Sequence, residues 1–209
     1  MQLVLASNNA KKLAELSVLF APVGMRVVAQ GTLGIDEAEE PHVTFIENAL
    51  AKARHAAQRA GGPALADDSG LCVDALRGAP GVVSAHYADV APPAGDREAQ
   101  RRFQDEANNR LLLERLQGVG DRRARFVSTL VALRSASDPE PLIAIGRWDG
   151  RILDAPSGAG GFGYDPLMFI PALGKTVAAL GAAEKNAHSH RAIAARQLLV
   201  LMHEVWGVG

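Results

Sequence analysis

Apolar residues open the chain as a short unbroken run and then recur at helical spacing. Residues 2–6 read as a buried strand, and from Lys11 to Phe20 the positions Leu13, Leu16, Val18 and Leu19 fall largely on one helical face. Met25 to Ala29 predicts a second strand, after which Asp36 to Glu40 is acidic and ends at Pro41. Thr44 to Ala60 is alanine-rich, carries Thr44 and Glu47 at capping-box spacing, and is stopped by Gly61-Gly62-Pro63. Ala64-Leu65-Ala66 predicts a third short strand ending on a turn at Asp67-Asp68-Ser69-Gly70, with Leu71 to Leu76 running away from it. Gly78 to Gly95 reads as loop, Arg97 to Leu116 as a charged helix closed by Gly118, and Arg123 to Leu133 as a strand. Asp149-Gly150 signals a hairpin between strands at 142–147 and 152–154, and the last helix runs from His190 to Trp206. Strands alternate with helices and a meander follows, so the fold class expected is α/β, a long mixed β-sheet flanked by helices. With no repeat and no linker, residues 1–209 are expected to form a single domain.

Composition narrows the function classes. With 209 residues, 48% hydrophobic and 22% charged, the chain can bury a sizeable core. The 22 basic and 23 acidic residues nearly cancel, which argues against a polybasic field and a stable nucleic acid partner. One cysteine, Cys72, permits no intrachain disulfide framework and suits a reducing compartment. No apolar run approaches the ~18 to 20 residues of a membrane span. The opening run lacks a basic leader and breaks at Ser7-Asn8-Asn9, so a cytoplasmic protein is expected.

Five short stretches carry possible chemistry. Ser7-Asn8-Asn9-Ala10-Lys11-Lys12 joins strand to helix, where backbone N–H groups, amides and ammonium groups can converge on an anion; the ordinary alternative is that Ser7 or Asn9 only caps the helix. Glu39-Glu40 precedes the helix bearing Lys52, an arrangement able to hold Mg²⁺ and a phosphate, although a solvated helix face is the commoner outcome. Asp67-Asp68 is more demanding, because adjacent carboxylates repel unless a cation or a shared proton relieves them. Ser157 to Pro166 contains G-x-G-x-x-G, but Pro166 and the apolar run after it stand where a dinucleotide-binding helix should start, so a Rossmann reading is rejected. What remains there is a flexible backbone, two aromatic rings able to stack on a base, and Asp165. Gly174-Lys175-Thr176 is a decoy for a P-loop, since Phe169 occupies the place of the required glycine. In the fifth stretch, Glu184 to Arg191, His188 and His190 read as a surface pair rather than metal ligands. The planar fork of Arg191 could donate to the O6 and N7 edge of a 6-oxopurine, or could simply lie on an exposed first turn.

Taken in order, Ser7 to Lys12, Thr44-Phe45-Ile46-Glu47-Asn48-Ala49, Ala66-Asp67-Asp68-Ser69-Gly70-Leu71, Gly161 to Pro166 and Ser189-His190-Arg191 resemble the inosine/xanthosine triphosphate pyrophosphatase family. One departure is Asn8, which stands where that family usually has glycine; asparagine tolerates a left-handed backbone better than most residues. The resemblance implies a homodimer, each chain having two lobes with an active-site cleft between them. It also implies Mg²⁺-dependent hydrolysis of ITP, dITP and XTP to nucleoside monophosphate and pyrophosphate. Asp68 would be the general base, and Glu40, Asp67 and Asp68 would lie at the metal. Ser7, Asn9, Lys12 and Lys52 would hold the triphosphate, and Asn8 and Ser69 would also touch the substrate. Phe162, Gly163, Tyr164, Asp165, Lys185, His190 and Arg191 would form the base and sugar end. Two other readings stand beside it: a Maf-like nucleotide pyrophosphatase, whose opening motif carries arginines where this chain has Lys11 and Lys12, and a non-catalytic nucleotide-binding module, which would have no need of the Asp67-Asp68 pair.

Overall fold

The structure, a computed structural model, describes residues 1–208. Along the chain it comprises β1 (Gln2–Leu5), α1 (Ala10–Phe20), β2 (Arg26–Ala29), α2 (Phe45–Ala60), β3 (Ala64–Val73), α3 (Arg97–Arg115), β4 (Arg123–Leu133), β5 (Leu142–Ile152), β6 (Met168–Ile170), β7 (Lys175–Thr176), α4 (Ala182–His188) and α5 (His190–Trp206). The strands form one mixed seven-stranded sheet in the order β2-β1-β3-β4-β5-β6-β7. β1 runs parallel to both neighbours, pairing Leu3 with Val27 and Leu5 with Leu65, while β6 is antiparallel to β5 and β7. The α/β class and the flanking helices agree with the sequence pattern. Among the described residues no helix is long and apolar enough to cross a membrane.

Two predicted turns are corrected. Asp67-Asp68-Ser69-Gly70 is no turn but the middle of β3, a single ten-residue strand. Each carboxylate there finds a cation of its own, so the backbone has no reason to leave the ladder. Asp149-Gly150 likewise lies inside β5 rather than at a hairpin. Gly150 answers a close approach: a Cβ there would lie 2.5 Å from the Phe169 carbonyl oxygen on β6.

The chain divides into two compact units. The first comprises Met1–Ser69, Val127–Arg147 and the segment from Asn186 on; the second comprises Gly70–Phe126 and Trp148–Lys185. In the first unit the period of two along each strand sorts side chains onto two layers. Leu3, Leu5 and Leu65 pack with Leu16 and Phe20 of α1 and Ala194, Leu198 and Met202 of α5. Val4, Ala6, Ala64 and Ala66 pack with Ala49, Ala53, Ala56 and Ala57 of α2, so the alanine-rich helix meets small strand residues. The second unit has its own core, in which Leu71, Val73, Leu112, Phe126, Trp148, Tyr164 and Met168 are buried together.

Helix starts are fixed by side chains. Asn9 accepts the N–H groups of Lys11 and Lys12, Thr44 that of Glu47, and Ser189 that of Ala192.

Candidate active site

The alternation that separates Leu65 from Ala66 also separates Asp67 from Asp68. Asp67 follows Leu65 toward α1 and α5, and Asp68 follows Ala66 toward α2. On the first face Asp67 Oδ2 accepts from Arg191 Nε at 2.9 Å and Nη2 at 2.8 Å, with Lys12 Nζ at 3.3 Å, and Oδ1 accepts from Ser128 Oγ at 2.8 Å. Burial alone would raise the pKa of this carboxyl, but Arg191 and Lys12 beside it hold it well below the usual carboxylate range. Arg191 is itself 1% exposed, and its Nη1 donates to Glu15 on α1 while Nη2 also reaches Ser69 Oγ at 3.2 Å. Burial opposes the charge of Arg191, yet Asp67 and Glu15 hold it above its ordinary value.

The second face is built differently. Asp68 Oδ1 accepts from Lys52 Nζ at 2.8 Å, and the same ammonium lies 3.1 Å from Glu40 Oε2 and 3.4 Å from the Asp67 carbonyl oxygen. Asp68 Oδ2 is buried with no hydrogen-bond partner. Burial pushes the Asp68 carboxyl up to about 6, against the pull of Lys52. Lys52, which burial alone would depress, is held above its ordinary value by Asp68 and Glu40; Lys12 is depressed by burial. One aspartate is thus saturated and the other keeps a basic oxygen without a proton donor, a combination suited to proton abstraction.

The opening loop is ordered by its own amides. Ser7 Oγ accepts from the Asn9 N–H at 3.2 Å, while Asn8 Oδ1 accepts from the Gly31 N–H at 2.8 Å and Asn8 Nδ2 donates to Glu37 at 3.0 Å. Asn8 therefore needs no left-handed backbone, and among the described non-glycine residues only Arg77 has one. Its side chain bridges to the segment that leads toward Glu40.

In the second unit the glycine-rich turn is held from within. Asp165 Oδ2 accepts from the Phe162 N–H at 3.0 Å and from Lys185 Nζ at 2.8 Å, and that ammonium lies 4.7 Å from the centre of the Phe162 ring. Tyr164 belongs to the core, where its hydroxyl donates to the Ser84 carbonyl oxygen at 2.9 Å and burial pushes its pKa up. It is not exposed for stacking on a base as the sequence suggested, whereas Phe162 is half-buried.

Three other expectations change. Arg191 was expected either at a purine edge or on an exposed turn; its fork is instead buried on Asp67 and Glu15. Asp67 was expected at a metal, but both its oxygens face cations or a hydroxyl. His188 and His190 are no surface pair, since His190 is buried and only His188 is exposed. Among the described residues no group of three His, Cys, Asp or Glu side chains could hold a metal ion. Glu40 and Asp68, which share Lys52, are the two carboxylates placed to do so with oxygens from phosphate and water, and the orphaned Asp68 oxygen fits that use.

Sequence reasoning missed Glu15, Ser128 and Gly146. Glu15 lies one turn beyond Lys12 on α1, a spacing that could have suggested a shared face. Gly146 sits in mid-strand, and a Cβ there would lie 1.9 Å from the His190 carbonyl oxygen, so it admits the first turn of α5. Ser128 carried no signal.

Comparison with known proteins covers nearly the whole chain. The profile of the Ham1 family matches residues 3–201. A dITP/XTP pyrophosphatase of Methylibium petroleiphilum is 71% identical over 206 residues, covering 99% of both chains, and one of Leptothrix cholodnii is 66% identical over 209 residues with the same coverage. Among solved structures, a HAM1 protein from Coxiella burnetii is 40% identical with a TM-score of 0.85, covering 98% of this chain and 100% of that one.

Proposed function

The chain belongs to the Ham1 family, and from that membership and the two unlike aspartates of β3 we propose that it hydrolyses non-standard purine nucleoside triphosphates, ITP, dITP and XTP, to nucleoside monophosphate and pyrophosphate. The observation that carries the chemistry is the buried, unpartnered Oδ2 of Asp68 on a carboxyl whose proton affinity is raised to about 6. A water oxygen attacks the α-phosphorus, its proton passes to Asp68, and the α–β anhydride bond breaks with the electron pair leaving on pyrophosphate. Lys52, paired with Asp68, and Lys12, paired with Asp67, are the cations proposed to receive the triphosphate, together with Ser7, Asn9 and Ser69. Mg²⁺, held by Glu40 and Asp68, would supply charge relief on the leaving group. Asp67 is left out of the metal set, because Arg191, Lys12 and Ser128 surround its oxygens; Asn8 is assigned to bracing the loop.

Phe162, Gly163, Asp165, Lys185 and His190 are the residues proposed for the base and sugar end, with the Phe162 ring as the stacking surface. Arg191 acts through Asp67 as a positioning residue. The Maf-like reading gives way to the Ham1 match. We further propose a homodimer working in the cytoplasm, where it removes deaminated purines before they enter nucleic acid. The test is ³¹P NMR with Mg²⁺ and, separately, ITP, XTP, GTP and ATP. Pyrophosphate released from ITP and XTP but scarcely from GTP or ATP is the expected result. Orthophosphate as first product would move attack to the γ-phosphorus and overturn the assignment of Asp68, and binding without turnover would leave the non-catalytic module.

A further inference from the structure

We propose that Asp105 and Asn109, one turn apart on α3, are positioning residues that set the purine preference by gripping the glycine-rich turn at Gly163. Residues four apart share one helix face. Here that face takes both backbone groups of a single residue: Asp105 Oδ2 accepts the Gly163 N–H at 2.8 Å, and Asn109 Nδ2 donates to the Gly163 carbonyl oxygen at 3.0 Å. Gly163 has φ +61° and nothing within 4 Å of where a Cβ would stand. Glycine is therefore required there by the left-handed backbone rather than by crowding, and α3 holds the chain in that conformation.

Phe162 is consequently fixed from both sides. Asp165 takes its N–H, and Lys185 lies over its ring while donating to the same Asp165 oxygen. The Asp165 carboxylate also excludes a side chain at Gly161, where a Cβ would stand 2.1 Å from Oδ2. Gly163, the residue after Phe162, is then clamped by α3. With the peptide units on both flanks of Phe162 anchored and Lys185 over its ring, the backbone that carries the ring is positioned before any ligand arrives.

Asn109 gives the clearest sign that the grip serves position rather than stability. Its Oδ1 is buried with no hydrogen-bond partner, because the amide is turned to present Nδ2 to Gly163. A buried acceptor left unsatisfied is unfavourable, and leucine would fill the same space without it. Departures of this kind gather where function requires them.

The inference rests on the reading that Phe162 meets the base. Wild-type enzyme and the variants Asn109→Leu, Asp105→Leu, Asp105→Asn and Phe162→Ala would be compared for kcat/KM on ITP, XTP and GTP, together with thermal denaturation. Both leucine variants are expected to narrow the ITP over GTP preference about tenfold, chiefly through KM for ITP, with Asn109→Leu no less stable than wild type. Asp105→Asn keeps an acceptor for the Gly163 N–H and is expected to hold the preference. A preference that survives in folded Asn109→Leu and Asp105→Leu but falls in Phe162→Ala would overturn the grip and leave the base assignment standing. If Asp105→Leu or Asn109→Leu does not fold, an Asp105→Asn preference that collapses at wild-type stability counts against the proposal in the same way. No change in Phe162→Ala, or no purine preference in the wild type, would sink the base assignment and the grip together.

Discussion

The two faces of β3 place one aspartate each in opposite circumstances. On the face of α1 and α5, Asp67 is enclosed by a guanidinium, an ammonium and a hydroxyl, and works as the buried anchor of Arg191. On the face of α2, Asp68 has one ammonium, shared with Glu40, and an oxygen without a partner. Two residues identical in type and adjacent in sequence thus differ because strand geometry turns them to different helices. The lesson is that an acidic doublet on a strand is two sites, and each must be judged by the helix it faces.

Substitution of Asp67 should break the comparison most severely. Asp67→Asn leaves the buried charge of Arg191 without its main partner, and a loss of about 3 to 5 kcal/mol in denaturant unfolding is expected. Asp68→Asn should reverse the pattern: turnover of ITP falls about 10² to 10⁴-fold while the unfolding free energy does not fall. Equilibrium nucleotide binding within a few-fold of wild type would complete that result; wild-type turnover would remove Asp68 as base. Gly146→Ala acts on the first face alone, since its Cβ would press on the His190 carbonyl oxygen at 1.9 Å. The expected loss is about 1 to 3 kcal/mol in unfolding free energy, with kcat reduced as Arg191 shifts.

Acidity sharpens the contrast with opposite signs. Asp68, whose folded proton affinity is raised to about 6, binds its proton more tightly folded than unfolded. Its contribution therefore lowers stability as pH rises from about 4, the ordinary aspartate value, to about 6. Asp67, depressed, stabilises above the ordinary range and loses that contribution as pH falls below it. Melting curves between pH 4 and 7 should show that the decline between about 4 and 6 disappears in Asp68→Asn. Turnover should fall in acid as the base becomes protonated, and because Mg²⁺ at Glu40 and Asp68 would favour the charged carboxylate, that fall should begin below pH 6.

Much of the scaffold was legible because it depends on local signals. The α2 boundaries follow from the Thr44 cap and Gly61 with φ +65°, and the apolar run of β1 and the helical spacing of α1 need nothing distant to explain them. The reading failed where a partner far along the chain overrode a local preference. Asp67-Asp68-Ser69-Gly70 has turn composition, yet Arg191 and Lys52 keep it extended. Asp149-Gly150 has hairpin composition, yet β6 pairs with the adjoining Arg151 and Ile152, and its Phe169 carbonyl oxygen takes the space of a side chain at Gly150. The doublet, both lysines and Glu40 were found as chemistry-bearing residues from the sequence. Glu15 and Ser128 were not, because their importance comes from the single atoms they meet on Arg191 and Asp67.

The distance in sequence between the partners on the first face has a consequence for synthesis. Asp67 and Arg191 are 124 residues apart. At about 5 to 20 residues per second, the carboxylate leaves the ribosome on the order of 10 s before its guanidinium is made. Most of the α2 layer, built from β1, α2 and β3, can assemble within that interval; the opposite layer has neither α5 nor the charge that admits Asp67 to the interior. A nascent chain arrested before Asn186 should therefore present Leu3, Leu5, Leu65 and Phe20 to an apolar dye or a chaperone, and protection of those residues at that length would contradict the order. Vectorial synthesis thus leaves the saturated aspartate as the last part of its unit to become secure.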